Sequence, residues 1–135
     1  MGEEEAVNGM TPEVRLMVVS GALFAFLGVA LGAFAAHLLK QKLTPEMFGI
    51  FEVGVRYQIY HALALFVVAW AISAYPQTAA QIAGYCFIAG ILIFSGSLYL
   101  LSLTGIRWFG AITPLGGVSF LLGWLWLAWT AWKAG

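Results

Sequence analysis

The chain has 135 residues, of which 62% are hydrophobic and only 9% charged, with six Lys and Arg balancing six Asp and Glu. A water-soluble domain carries about 25% charged residues, so the composition excludes a water-solvated globule and makes a lipid bilayer the expected partner. Zero net charge gives no electrostatic basis for a nucleic-acid partner or a polybasic lipid patch.

Residues 1–12 are acidic and polar, with Asn8-Gly9 and Pro12 as turn formers. They read as a flexible tail ahead of a single domain over residues 13–135. An apolar segment then runs from about Val14 to Leu39, long enough at about 1.5 Å per residue to cross about 30 Å of hydrocarbon. Ala33-Phe34-Ala35 resembles a leader-cleavage site, but the acidic residues before it and the length of the run favour a retained helix. Gly21, Ala25, Gly28, Gly32 and Ala36 form a stripe of small residues, which lets another helix approach closely in lipid.

Thr44-Pro45-Glu46 carries three marks of a helix start: a capping hydroxyl, Pro at the first position and an acid in the first turn. Met47, Phe48, Phe51 and Val55 fall on one side of the turns after it, which read as a short interfacial helix. This helix leads into the second span, Tyr57 to Tyr75, ended by Pro76. The third span, about Thr78 to Leu103, is closed by Gly105 and contains the lone cysteine, Cys86, read as a small packing residue. The fourth runs from about Trp108 to Trp132. Pro114 either opens a helix capped by Thr113 or kinks one, and a kink is favoured. Gly116, Gly117, Ser119 and Gly123 read as a second packing stripe. The expected fold is therefore all-α: a polytopic four-transmembrane-helix bundle with a short interfacial helix between helices 1 and 2.

Lys40, Lys42, Arg56 and Arg107 gather on one side of these spans, against Arg15 and Lys133 on the other. The positive-inside rule puts the first side in the cytoplasm and both termini outside it. Threading the spans up and down also gathers polar residues near the basic loops: His37, Arg56, Tyr57, Gln58, His61, Ser95, Ser97, Tyr99 and Thr113. Glu52 and Arg56 stand four apart and can pair along the helix. The plain reading is that these groups satisfy one another and fix helix register; the sharper one makes them a site, because intramembrane polar groups are costly unless used. Two facing imidazoles, His37 and His61, can in principle ligate a haem iron, but nothing else in the sequence supports a cofactor. Zinc would need three or four ligands, and no metal site is expected. No acid accompanies Ser95 or Ser97 to complete a catalytic triad.

Gly32-Ala33-Phe34-Ala35-Ala36-His37, Gly54-Val55-Arg56-Tyr57-Gln58 with His61-Ala62-Leu63-Ala64, Phe94-Ser95-Gly96-Ser97-Leu98-Tyr99 and Thr113-Pro114-Leu115-Gly116-Gly117 with Gly123-Trp124 occur in that order. Together they resemble the YgdD-like small inner-membrane proteins, domain of unknown function family 423, related to transmembrane protein 256. The resemblance covers about Leu16 to Trp126 and departs at Ala35, where the family has Gly. It implies a four-helix protein of the cytoplasmic (inner) membrane and brings no catalytic residues with it. The expected function is a non-enzymatic packing or accessory component, as a homo-oligomer or part of a larger complex. The alternative is a binding or transport protein for a small molecule, lipid or quinone at the polar end.

Overall fold

Two copies of one start signal set where the first two helices begin. In the computed structural model, which describes residues 9–135, Thr11 and Thr44 are extended and accept hydrogen bonds from the N–H groups of Val14 and Met47, at 3.3 and 3.2 Å. Pro12 and Pro45 come next, in the first turn, where an N–H has no helical partner to lose. Pro12 thus opens helix α1 (Pro12–Leu39) instead of forming a turn. The part of the expected tail before residue 9 lies outside the described residues.

Helix α2 (Pro45–Ala74), α3 (Gln81–Thr104) and α4 (Trp108–Ala134) complete the fold, and all four are long and apolar enough to cross a membrane. No strand occurs among the described residues. Gly105 ends α3 in the left-handed conformation at φ 71°, its N–H bonded to the Leu101 carbonyl at 2.8 Å; the missing Cβ makes that geometry accessible. Pro114 lies well inside α4, so no N–H at that position reaches the Gly110 carbonyl. Thr113 does not cap a helix there. Single π-turns interrupt α1 at Leu31–Ala35 and α3 at Ile91–Ser95.

The interfacial helix expected between the first two spans is not a separate element. Its residues are the opening turns of α2, continuous to Ala74. Phe48, Phe51 and Val55 pack against Leu31, Ala36 and Leu39 of α1. Their apolar side is covered by protein, so lying flat in the headgroups would bury nothing more.

The helices pack in chain order, with α2 and α3 central, and α1 does not touch α4 among the described residues. Small residues decide the contacts. A Cβ on Gly21 would lie 3.0 Å from the Ala62 carbonyl and one on Gly32 would lie 3.1 Å from Val55, which brings α1 against α2. A Cβ on Gly116 would overlap the Phe94 backbone, and one on Gly123 would lie 2.6 Å from the Phe87 ring, which brings α4 against α3. The main core lies between, around Met17, Leu65, Val68, Ala83 and Phe87.

These contacts also set relative depth. Gly32 is level with Val55, Gly54 with Tyr99, and Ser97 with Thr113. The helix ends on the side of the chain termini, Pro12, Ala74, Gln81 and Ala134, all lie about 20 residues, or about 30 Å, from that level. Set at one face of about 30 Å of hydrocarbon, they put Arg56 near the other face, with the first turns of α2 beyond it.

Candidate functional site

Each buried polar group at this end has a partner, and the partners divide into three sets. Gln58, 4% exposed, is a clasp across three helices: its Nε2 donates to the Phe24 carbonyl of α1 at 2.8 Å, and its Oε1 accepts from the Tyr99 hydroxyl of α3 at 2.7 Å. Ser95, in the π-turn of α3, donates to the Gly54 carbonyl at 2.7 Å. Ser97 and Thr113 share a hydrogen bond of 2.6 Å between α3 and α4. Such groups in lipid need internal partners, because no water is at hand. These three contacts hold register.

His61 belongs elsewhere. It sits about 7–8 Å deeper than Arg56, five residues further along α2, and is 4% exposed. The Trp124 indole N–H donates to its Nε2 at 3.1 Å, and its Nδ1 lies 2.8 Å from the Tyr57 carbonyl. An indole only donates and a carbonyl only accepts, so the ring is the neutral tautomer with its hydrogen on Nδ1. The imidazole stacks on Phe120 with centroids 3.6 Å apart and planes 9° apart.

That stack is the floor of a crevice of about 420 Å³ between α2 and α4. Tyr57 of α2, Phe94 of α3, and Leu121 and Trp124 of α4 form its walls. Pro114, Gly117 and Val118 complete it. The crevice exists because α4 is held against α3 and away from α2. It is open on the lipid side and lined almost wholly by carbon, while the polar nitrogens of its floor are turned into the Trp124 and Tyr57 bonds. Tyr57 is 40% exposed, and among the described residues its hydroxyl makes no hydrogen bond, which leaves a free donor at the crevice wall. Gly117 leaves the space: a Cβ there would meet only the Phe94 ring, at 3.9 Å.

The nine polar residues expected to meet at one end are therefore not one cluster. Gln58, Ser95, Ser97, Tyr99 and Thr113 form the register contacts, and Tyr57 and His61 face the crevice. Arg56 is exposed on a different side of α2. His37 is exposed near the end of α1. Gly28 packs level with Ile59, so His37 lies about 16 Å along the axis from the His61 layer; the two imidazoles do not face each other. Glu52 and Arg56 do not pair either. The ion pair among the described residues joins Arg107 to Glu46 at 3.7 Å, both exposed.

Phe94, Phe120 and Trp124 line the crevice beside the polar candidates, and Gly117, expected in a packing stripe, opens onto it instead. The spacing Pro114, Gly117, Leu121, Trp124 places one face of α4 on the crevice and was the available signal. That this face looks toward α2 across a gap is set by tertiary packing and is not written in the spacing.

A family model described as "Protein of unknown function (DUF423)" matches residues 31–117. The UPF0382 membrane protein YwdK of Bacillus subtilis (strain 168) is 45% identical over 113 residues, covering 83% of this chain and 92% of the relative. The UPF0382 membrane protein SAB0533 of Staphylococcus aureus (strain bovine RF122 / ET3-1) is 43% identical over 114 residues, covering 84% and 93%. A UPF0382 membrane protein of Staphylococcus epidermidis (strain ATCC 12228) is 45% identical over 112 residues, covering 83% and 91%. No solved structure matches the chain.

Proposed function

This chain belongs to the DUF423 family, a multi-pass membrane protein by its four spanning helices, and from that premise we propose that it binds a lipid-soluble molecule carrying a flat ring, of the quinone class. The observation that carries this reading is the aromatic crevice between α2 and α4. The Phe94 and Trp124 rings at the walls favour a planar π-system, the lipid-side opening admits a molecule already dissolved in the bilayer, and the Tyr57 hydroxyl can donate to a carbonyl oxygen. Few polar groups in an apolar concavity are the usual signature of a small-molecule site.

The test is saturable quenching of tryptophan emission by decylubiquinone, a short-tailed quinone, in liposomes. Gly117→Leu enters the crevice from a position where a Cβ meets only the Phe94 ring. Saturable quenching in the native chain, lost in Gly117→Leu at unchanged helicity, supports the reading. Equal quenching in both chains contradicts it.

The accessory or oligomeric reading has a separate support. Gly21, Gly116 and Gly123 are covered within the chain, but Ala22, Ala25 and Ala30 leave an indentation between Phe26 and Phe34 on the outer side of α1. Native mass in mild detergent tests it, and a strictly monomeric mass with no co-purifying protein counts against it. The proposed placement is the cytoplasmic membrane with both termini outside the cytoplasm, supported by Lys40, Lys42, Arg56 and Arg107 on one side. Reporter fusions at the C-terminal end should report the outside; a cytoplasmic signal would reverse the orientation.

A further inference from the structure

A second concavity lies between α1 and α2 on the basic side, away from the aromatic crevice. It holds about 120 Å³ and is bounded by Gly32 and Ala36 of α1 and by Glu52, Val55 and Arg56 of α2. Gly32 falls in the π-turn Leu31–Ala35, a departure from regular helix that recurs at functional sites. Gly32 and Ala36 put little side chain into the space.

Its two charges are exposed and free of each other. No ion pair joins Glu52 to Arg56 within 4.0 Å, although they are one turn apart. Depth gives each a different neighbour. Arg56 sits at the hydrocarbon edge, where a guanidinium without a carboxylate partner is costly unless a phosphate meets it. Glu52 stands one turn, about 6 Å, further toward water. In an aminophospholipid the phosphate is bonded to the glycerol near the chains, and the amine lies beyond it, toward water. The order of charges on α2 matches that order.

We infer that the Gly32–Ala36–Glu52–Arg56 groove binds the phosphoethanolamine headgroup of a phospholipid, the phosphate on Arg56 and the ammonium on Glu52. A guanidinium presents a planar fork to phosphate oxygens, and a primary ammonium offers three donors to a carboxylate. A choline headgroup has no N–H to give Glu52. A glycerol headgroup has no cation at all, and its phosphate would bring net negative charge beside Glu52. None of the crevice residues takes part, so the groove stands or falls apart from the quinone reading.

The test is native mass spectrometry of the full chain titrated with phosphatidylethanolamine, phosphatidylcholine and phosphatidylglycerol of identical acyl chains. One ethanolamine lipid should be retained in preference to the other two. Arg56→Gln should weaken retention of all three, by roughly tenfold, the size of one charge-assisted hydrogen bond. Glu52→Gln should remove the preference and bring the ethanolamine and glycerol lipids level. Both side chains are exposed, and circular dichroism verifies that the variants keep their helices. Unchanged selectivity in Glu52→Gln, or tighter binding of the glycerol lipid by the native chain, would overturn the assignment. Glycerophosphoethanolamine, the same headgroup without chains, should not compete at equal concentration; full competition would overturn a lipid as the source.

Discussion

The seam between α1 and α2 and the crevice between α2 and α4 are two sides of one helix, and they are built in opposite ways. Along the seam, Gly21, Gly28 and Gly32 remove the side chains that would keep α1 off, so Ala62, Ile59 and Val55 come against its backbone. Along the crevice, Tyr57, His61, Phe120 and Trp124 stand in ring contact with one another and keep the two backbones apart. In lipid no hydrophobic force closes such a gap, because acyl chains are as apolar as leucine, so helices meet where small residues allow van der Waals contact. A closed seam and an open crevice can therefore share a helix without conflict.

Adjacent glycines on α4 sharpen that contrast most. Gly116→Ala places a Cβ into the Phe94 backbone, and the resulting overpacking should destabilise the chain by about 1–3 kcal/mol. Gly117→Ala enters the crevice, and its better helix propensity should leave stability level or raise it by up to about 1 kcal/mol. Unfolding of both in mixed micelles checks the pair, and equal losses would mean the crevice is filled. Gln58→Leu comes next, since it strips the hydrogen bond from Phe24 and leaves the Tyr99 hydroxyl without its acceptor. A loss of about 1–2 kcal/mol is expected, read in the same assay. Trp124→Phe removes the donor to His61 Nε2 and shrinks the ring packed on Phe87, and should cost about 0.5–1.5 kcal/mol. Arg107→Gln breaks an exposed ion pair and should change stability by less than about 0.5 kcal/mol.

Much of the scaffold is legible in the residues. Length and apolarity give four spans, Thr44-Pro45-Glu46 and Gly105 give two of their ends, and Gly28 and Gly123 announce close packing. Thr11-Pro12-Glu13 carries the same start signal and was legible too, but its position after an acidic run made Pro12 look like a turn. The candidate site was less legible, for a physical reason. Outside the polar turns of α2 the spans are apolar on nearly every side, so periodicity gives little to orient them, and nothing in the chain order says that α1 and α4 stay apart. Counting residues from loop ends placed His37 and His61 together. The actual levels are set by contacts such as Gly28 with Ile59, which place them far apart. Gly116 and Gly117 are neighbours with opposite roles, and only the position of Phe94 separates them.

The claim on which the rest depends is that the α2–α4 crevice is open to the acyl chains. A nitroxide on Gly117→Cys, in a Cys86→Ala chain reconstituted in liposomes, reports it through collisions with dissolved oxygen. The structure predicts an oxygen accessibility close to that of the same label on Leu122→Cys, a site 54% exposed on the outer side of α4. An accessibility several-fold lower, with the chain folded, would mean that the gap is closed and would contradict it.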